Sequence, residues 1–268
     1  MRYLYFTKSL EKLDVPGVID FIKDAGLDGA DMAVRPGFPV TPANCRTELP
    51  AAAKAFRDAG LTIGIASTAT NLSNAESPDA RAIFEASAKA GVPYVKVGYF
   101  KYQAPFDATL AKARKGMTAW AKLAQATGVR ACYHTHSGNY LGSNGASMRL
   151  LLQDQDPHFI SAYVDTGHVA INGNPIRQEL ETLKQWLALV AIKDMLWEKK
   201  GDVWERRIVP AGEGIVRWAE VRQGLKDCGF DGTVSLHGEY ETKDLAERQR
   251  LARAELAFLR KTLEGKAS

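Results

Sequence analysis

Four of the five histidines in this chain lie in short motifs that also contain a carboxylate or a second histidine. The motifs are YHTH at 133–136 (His134, His136), VDTGH at 164–168 (Asp165, His168) and LHGEY at 236–240 (His237, Glu239). Each one lies at the end of an apolar run of the kind that forms a buried strand. Imidazole nitrogens and carboxylate oxygens bind divalent transition metals and transfer protons in catalysis, so the motifs predict one of these two chemistries.

Side chains two residues apart on a strand point to the same face of the sheet. His134 can therefore reach one cavity together with His136, and His237 can do so together with Glu239. If the strand ends meet, the paired histidines His134 and His136 meet Asp165 and His237 over the barrel mouth, where a divalent metal (Mn, Zn, Co or Mg) is predicted. Two ordinary roles compete with this one: a histidine at a strand end is often only a hydrogen-bonded polar residue, and Asp165 can cap the following helix.

The motifs need a fold that brings the ends of several strands together. Short β-rich runs alternate with longer helical patterns along the chain, beginning with YLYFT at 3–7 and a helix near 15–26. The phrase DAGL occurs at 24–27 and at 58–61, where glycine is expected to end one helix before the next strand begins. The same reading continues to the end of the chain without a linker and gives eight strands and eight helices.

This alternation predicts an α/β fold, a single (β/α)8 TIM barrel that forms one domain over residues 1–268. In such barrels the active site lies at the carboxyl ends of the strands, which is where the histidine motifs fall. An open, doubly wound sheet is the main alternative. It is disfavoured because the first strand is followed by FTKSLEKL and not by a GxGxxG turn.

Composition narrows the partners that the chain is expected to have. The net charge is +4 with acids and bases interleaved, so no nucleic-acid-binding stripe is indicated. The amino-terminal segment lacks the apolar core of a signal peptide, and no run approaches the length of a membrane span. Three cysteines without CxxC spacing favour reduced thiols. We expect a cytoplasmic protein that binds a small molecule, and the sequence leaves the oligomeric state open, a homo-oligomer included.

Together the motifs resemble the sugar phosphate isomerase/epimerase family, the xylose isomerase-like barrels. The similar segments are GLDGADMAVRPG (26–37), YHTHSG (133–138), VDTGH (164–168), AIKD (191–194), PAGEGIVRW (210–218) and GTVSLHGEY (232–240). The resemblance implies a divalent metal at the ends of strands five to eight, where a hydroxy-carbonyl sugar loses and regains a proton. Asp165 matches the aspartate ligand of the family, and His168 matches its histidine near the substrate.

The chain departs from the pattern of this family at three positions. His134 and His237 stand where the family commonly has glutamate ligands, and Ala191 stands where it commonly has a histidine. An alanine side chain cannot bind a metal, so one usual ligand is lost. The ligand set that the resemblance leaves is His134, Asp165 and His237, with Glu239 or His136 as a fourth.

We predict a metal-dependent isomerase or epimerase that acts on a sugar, a sugar phosphate or a polyol by removing a proton next to a carbonyl. Glu239 is the expected base, with a pKa raised toward neutrality, and His134 is the alternative if it is not a ligand. Lys193 and Arg35 are expected to face the cavity without a carboxylate partner. The residues expected to hold substrate oxygens are His136, His168, Lys193 and Arg35.

Other functions remain open on the same scaffold. A lyase or a dehydratase shares the first proton transfer, and a barrel that has lost catalysis but binds carbohydrate is consistent with Ala191. Metal content distinguishes the last of these from an enzyme. A DNA-repair endonuclease of the same fold is disfavoured, because it would need more metal ligands and a basic groove.

Overall fold

The computed structural model describes residues 1–265, which form ten strands and nine α-helices. The strands are β1 (Arg2–Phe6), β2 (Gly29–Val34), β3 (Thr62–Thr68), β4 (Tyr94–Lys96), β5 (Arg130–His134), β6 (Ile160–Asp165), β7 (Leu187–Ile192), β8 (Asp194–Lys200), β9 (Val203–Val209) and β10 (Thr233–Leu236). The α-helices are α1 (Val15–Ala25), α2 (Cys45–Asp58), α3 (Pro78–Ala90), α4 (Phe106–Thr127), α5 (Gly145–Leu152), α6 (Thr166–Ile171), α7 (Ile176–Leu183), α8 (Trp218–Asp227) and α9 (Leu245–Leu259). A 3₁₀ turn at Thr7–Leu10 follows β1, and a π-helical turn at Arg260–Glu264 follows α9.

All strands except β8 and β9 form a closed barrel in the order β1, β10, β7, β6, β5, β4, β3, β2. Every neighbouring pair in the barrel is parallel. The barrel closes between the first and last strands, where Leu4 of β1 lies opposite Ser235 of β10. The predicted (β/α)8 barrel is therefore confirmed.

The repeated DAGL phrase ends helices as its sequence predicted. Gly26 follows α1 with a φ of 73°, and Gly60 lies just after α2 with a φ of 76°. Positive φ angles of this size are accessible to glycine at no steric cost, so each phrase stops a helix and turns the chain into a strand. Within residues 1–265 no helix combines the length and the apolar character that crossing a membrane requires.

The interior of the barrel is packed with side chains. A separate cluster of buried residues fills it: Leu4, Ile65, Cys132, Tyr163, Leu189 and Ala191. A larger apolar cluster lies between the sheet and the helices, where Phe84 of α3 stacks on Trp120 of α4. Residues at the carboxyl ends of the strands lie above the packed interior and line a cavity there.

Strands β8 and β9 form an antiparallel hairpin that the sequence analysis did not predict. The register pairs Asp194 with Val209 and Lys200 with Val203, on either side of a turn at 201–202. Most side chains of the two strands are exposed or half-buried, so the hairpin lacks the apolar run that identifies the barrel strands. The short helix α6, directly after β6, is a second element that was not predicted.

Asp194 fixes the segment that returns from the hairpin to the barrel. Its two carboxylate oxygens accept hydrogen bonds of 3.0–3.1 Å from the backbone N–H groups of Met195, Gly212, Gly214 and Val216 and from the indole of Trp218. A Cβ at Gly214 would lie 2.1 Å from the Asp194 Oδ1, so the close approach requires glycine. Asp194 is therefore a structural residue and not the ion-pair partner of Lys193.

Glu255 is a buried carboxylate that joins α9 to two neighbouring loops. Its Oε1 accepts a hydrogen bond from the Ala211 N–H, and its Oε2 accepts one from the Tyr240 hydroxyl, both at 2.8 Å. Burial raises the pKa of Glu255 to about 7, although these hydrogen bonds oppose the rise. The folded protein thus keeps the Glu255 proton at pH values where the unfolded chain has released it.

We expect the free energy of unfolding to fall as the pH rises from about 4.5 to about 7. The Glu255 contribution is fully present below the pKa of the unfolded chain and is lost above that of the folded protein, a difference of about 3 kcal/mol. Glu255→Gln cannot ionise and should remove this part of the pH dependence. Urea denaturation of both proteins at several pH values across this interval measures the effect, and equal slopes would assign the loss to other groups.

Candidate metal centre and active site

Side chains from three strand ends meet at one point at the mouth of the barrel. His134 ends β5, Asp165 ends β6 and His237 follows β10 directly. One ligand atom of each lies within 4.8 Å of the others, and all three residues are buried. The His134 Nε2 and the His237 Nδ1 lie 3.4 and 3.8 Å from the Asp165 Oδ2. We call these three residues the ligand cluster.

Two of the facing atoms, His134 Nε2 and Asp165 Oδ2, have no hydrogen-bond partner within residues 1–265. They lie close to each other but are not aligned for a hydrogen bond. A buried polar atom without a partner costs about 1–3 kcal/mol, and such atoms are rare in native proteins. A divalent cation would satisfy both atoms, so the ligand cluster fits a metal.

Asp165 can cap a helix and bind a metal at the same time. Its Oδ1 accepts a hydrogen bond from the backbone N–H of His168 at 2.9 Å and so caps α6. The cap leaves the other oxygen, Oδ2, facing the two histidines. The two roles considered for Asp165 therefore use different oxygens and do not exclude each other.

The outer nitrogens of both cluster histidines contact tyrosine hydroxyls. His134 Nδ1 lies 3.1 Å from the Tyr99 hydroxyl, and His237 Nε2 lies 2.9 Å from that of Tyr163. Tyr163 donates its own proton to the Asp31 carboxylate at 2.9 Å, so His237 Nε2–H must donate to Tyr163. In the neutral ring, the nitrogen without a proton is then Nδ1, which faces Asp165. Outer hydrogen bonds of this kind orient metal-binding histidines.

The protonation states also suit metal binding. Burial lowers the pKa of His134 to about 3, although Asp165 opposes the shift. Burial alone would raise the pKa of Asp165, but His168, Lys193 and His134 together hold it well below its usual range. At neutral pH the ligand cluster therefore presents a neutral His134 imidazole and an ionised carboxylate, the forms that bind metals.

Glu239 lies beside the ligand cluster and is held by two lysines. Its Oε2 is 2.5 Å from the Lys193 Nζ and 3.9 Å from the His237 Nδ1, and its Oε1 contacts Lys8. Burial would raise the pKa of Glu239, but Lys193, His237 and Lys8 outweigh it and hold the pKa well below the usual range. The predicted rise toward neutrality is therefore wrong, because two cations from other segments neutralise this carboxylate.

Lys193 and Arg35 both line the cavity above the ligand cluster. Lys193 pairs with Glu239 and lies 3.8 Å from the Asp165 Oδ2, so the prediction that it lacks a carboxylate partner is wrong. Burial lowers the pKa of Lys193, but these two carboxylates overcome the effect and raise it. Arg35 has no carboxylate partner within residues 1–265, and its Nε donates a hydrogen bond to the Ser67 carbonyl at 3.4 Å.

His136 and His168 stack beside the ligand cluster with ring centres 3.9 Å apart. The His136 Nδ1 donates to the Ser137 carbonyl at 2.8 Å, because a carbonyl can only accept, and this leaves its Nε2 unprotonated. His168 Nδ1 accepts from the Ser137 N–H at 3.3 Å, and its Nε2 lies 3.5 Å from Lys193. Burial lowers the pKa of both rings, that of His136 to about 4. His136 lines the cavity and His168 does not.

These strand-end residues sit in a sequence that matches a known family over most of its length. The model of the family described as xylose isomerase-like TIM barrel matches residues 19–262. The chain belongs to this family. The family resemblance seen in the sequence motifs is thereby confirmed. This member still differs from the common family pattern at His134, Ala191 and His237. No curated protein sequence matches the chain significantly.

Solved structures share the fold of this xylose isomerase-like barrel at low sequence identity. A D-psicose 3-epimerase from Clostridium cellulolyticum H10 superposes with a TM-score of 0.74 at 16% identity, covering 98% of this chain and 99% of that one. The IOLI protein, solved with a zinc atom, superposes with a TM-score of 0.77 at 15% identity, covering 97% of this chain and 98% of that one. A probable 3-DHS dehydratase from Bacillus anthracis superposes with a TM-score of 0.71 at 16% identity, with the same coverage of 97% and 98%. At such identities the similarity shows the fold alone.

Ala191 occupies the position at which the family resemblance implied a histidine ligand. It is fully buried inside the barrel, opposite Asp165 of β6 and Ser235 of β10. Its methyl group packs in the apolar cluster of the barrel interior. Among the described residues the group able to hold a metal is thus the three-residue ligand cluster, without Ala191, Glu239 or His136.

Sequence reasoning missed several residues around the ligand cluster. Asp31 and Lys96 are charged residues within the otherwise apolar strands β2 and β4, and both are buried. A charge inside a strand that is buried on both faces is the signal that could have identified them. Lys8, Tyr99 and Tyr163 have no such signal, since lysine and tyrosine are common at strand ends and in cores for ordinary reasons.

Proposed function

We propose that this protein is a metal-dependent isomerase or epimerase that removes and returns a proton next to the carbonyl of a sugar or a related polyol. The observation that supports this most is the convergence of His134 Nε2, Asp165 Oδ2 and His237 Nδ1, the first two of which have no hydrogen-bond partner among the described residues. The names of structures with the same fold, an epimerase and a zinc-containing protein among them, support the same reaction class.

The metal would be held by the three atoms of the ligand cluster. Two imidazoles favour zinc over magnesium or manganese, which prefer oxygen ligands. A divalent ion bound there supplies Lewis acidity that polarises the carbonyl of the substrate. His134 has one free nitrogen, so as a ligand it cannot also be the base, and Glu239 remains as the proposed base.

Glu239 accepts the proton in this proposal. Its lysine partners keep it ionised at neutral pH, but a carboxylate with a low pKa is a weak base, so one cation must move away. Lys8 is the cation that can move, because its side chain is 49% exposed whereas that of Lys193 is 5% exposed. A substrate that displaces Lys8 would raise the pKa of Glu239 and strengthen it as a base.

The cavity wall offers groups of both hydrogen-bonding polarities to substrate hydroxyls. His136 presents an unprotonated Nε2 as an acceptor, whereas Lys193 and Arg35 present only donors. His168 acts through its contacts with Lys193 and with the stacked ring of His136, since it does not line the cavity. A polyhydroxylated substrate is thereby oriented with its carbonyl toward the ligand cluster.

A lyase or dehydratase is the second candidate, and the short contact between Lys193 and Glu239 favours it. Once Glu239 has taken the proton next to the carbonyl, the Lys193 ammonium, 2.5 Å from this carboxylate, can protonate a hydroxyl that leaves the neighbouring carbon. The departing group is then water, and the product is an unsaturated carbonyl compound. Isomerase and dehydratase therefore share their first step and differ in their product.

The experiment that tests the proposal combines metal analysis with hydrogen exchange. The purified protein is expected to contain about one transition metal per chain and to release deuterium from the α-carbon of a substrate into water. A panel of ketoses, ketose phosphates and sugar acids supplies the substrates, and product analysis separates isomers from dehydrated compounds. A protein that binds carbohydrate but contains no metal and exchanges no deuterium would instead be a carbohydrate-binding barrel.

A further inference from the structure

The cavity holds two cations that the proposed chemistry leaves unpaired, Arg35 and Lys96. Lys96 ends β4 and is 3% exposed, yet its Nζ has no hydrogen-bond partner within residues 1–265. The Nζ lies 4.1 Å from the centre of the Tyr99 ring, a cation–π contact that compensates the charge only in part. Arg35 follows β2, and its guanidinium lies 5.2 Å from the centre of the Phe6 ring. Neither cation has a carboxylate partner among the described residues.

The carboxylates near the cavity face other groups. Glu239 contacts Lys8 and Lys193, and Asp165 faces the ligand cluster. The Asp31 Oδ2 accepts hydrogen bonds from the Tyr163 and Ser235 hydroxyls, while its Oδ1 has no hydrogen-bond partner among the described residues and forms no ion pair with Lys96 or Arg35 there. Burying an ammonium without an anion is costly, and a native site compensates it with a partner. No described carboxylate forms an ion pair with Lys96 or Arg35, so the anionic group of a ligand can act as their counterion.

The pKa of Lys96 also reflects the lack of a nearby counterion. Burial lowers the pKa of Lys96 well below its usual range and the neighbouring Arg35 lowers it further, while Asp31 and Glu239 oppose the shift only in part. An anion between the two cations would relieve their repulsion and favour the charged ammonium. The hydroxyl residues Ser67 and Thr70 line the same cavity and can donate further hydrogen bonds to anionic oxygens.

We infer that Arg35 and Lys96 form a subsite for an anionic oxygen group of the substrate, a carboxylate or a phosphate. A guanidinium donates two parallel hydrogen bonds to either group, and an ammonium adds a point charge. The inference rests on the proposed function and narrows it: the substrate is an anionic sugar, either a sugar phosphate or a sugar acid, and not a neutral ketose.

The subsite and the ligand cluster lie on different parts of the barrel. Arg35 and Lys96 come from the ends of β2 and β4, whereas the ligand cluster comes from β5, β6 and the segment after β10. The closed strand order places these two groups on different arcs of one mouth. A substrate bound at both would lie across the cavity, with its anionic group on one side and its carbonyl toward the ligand cluster.

The test measures binding of two small anions to the purified, metal-containing protein by isothermal titration calorimetry. Inorganic phosphate and glycolate are the probes, and their relative affinities distinguish a phosphate site from a carboxylate site. Arg35→Met and Lys96→Met should each weaken binding of the preferred anion by about tenfold or more. The control is Lys89→Met, which removes the same charge from an exposed position in the last turn of α3 and should leave binding unchanged.

Three results would overturn the subsite. The first is binding that does not change in either variant, and the second is no binding of either anion to the parent protein. The third is binding lost in Asp165→Asn but kept in the Arg35 and Lys96 variants, which would place the anion on the metal. If Lys96→Met does not fold, Lys96→Gln and the Arg35 variant decide, with thermal unfolding as the check.

Failure of the subsite and failure of the proposed function give different results. Deuterium exchange on neutral ketoses together with no anion binding would remove the subsite and keep the enzyme. Anion binding that depends on Arg35 and Lys96, with no exchange on any member of the panel, would keep the subsite and remove the proposed reaction. Support for both requires exchange on anionic sugars that falls in parallel with anion binding in the two variants.

Discussion

Asp165→Asn is expected to abolish stoichiometric metal binding and to lower turnover by roughly a thousandfold. Asp165 supplies the negative charge of the ligand cluster, and its Oδ2, which has no hydrogen-bond partner within residues 1–265, faces both histidines. A neutral amide is a poor metal ligand, and Lewis-acid stabilisation is worth several kcal/mol, about tenfold in rate for each 1.4 kcal/mol. Asparagine still accepts a hydrogen bond at the start of α6, so the helix cap is retained.

Metal content by inductively coupled plasma mass spectrometry and deuterium release from substrate measure the two effects separately. Asp156→Asn is the control, since it makes the same chemical change at an exposed position and should alter neither quantity. Full metal content in Asp165→Asn would contradict the assignment of Asp165 as a ligand. Thermal unfolding close to that of the parent shows that any loss arises from the site and not from the fold.

The architecture was predictable because the barrel strands are apolar runs that alternate with helices, several of which end in glycine. Such a pattern arises wherever parallel strands are covered on the outside by helices. The hairpin of β8 and β9 escaped prediction for the opposite reason: it packs against little, so its residues are not under the same requirement for burial. The structural role of Asp194 was hidden for a different reason: the backbone N–H groups that it binds lie 18 to 22 residues later in the chain.

The site was predictable as a set of residues but not as an electrostatic arrangement. His134, Asp165 and His237 could be found because strand ends and alternating side-chain directions determine where such residues point. The ion pairs of Glu239 could not, because they depend on how far Lys8 and Lys193 reach from two other segments. A pKa follows from distances of a few ångströms, which the order of residues along the chain does not specify.

The position of Arg35 was predicted correctly, but its proposed role depends on the neighbouring Lys96. The sequence placed it after β2 facing the cavity, where it is found, without a carboxylate partner. Lys96, which the sequence analysis did not identify, is a second basic side chain in the same cavity. Two basic side chains without a carboxylate partner in one cavity favour an anionic ligand more strongly than one cation does, because the anion stabilises the charged form of both.

Glu239→Gln is expected to lower turnover by about a hundredfold or more while the metal is retained. The amide keeps the shape of the side chain but cannot accept the substrate proton, and Glu239 lies outside the ligand cluster. Its removal also weakens the ion pairs with Lys193 and Lys8, so loss of ion pairing must be separated from loss of the base. Lys8→Met provides that control, because it breaks the other ion pair of Glu239 and leaves the carboxylate in place.

Without Lys8, the pKa of Glu239 is expected to move upward, since one of the cations that lower it is gone. Deuterium exchange should therefore persist in Lys8→Met and collapse in Glu239→Gln, with metal content unchanged in both. Exchange at the parent rate in Glu239→Gln would show that Glu239 is not the base, and His134 would be the next residue to replace. Loss of metal from Glu239→Gln would instead make Glu239 a ligand, and the roles of His237 and Glu239 would have to be assigned again together.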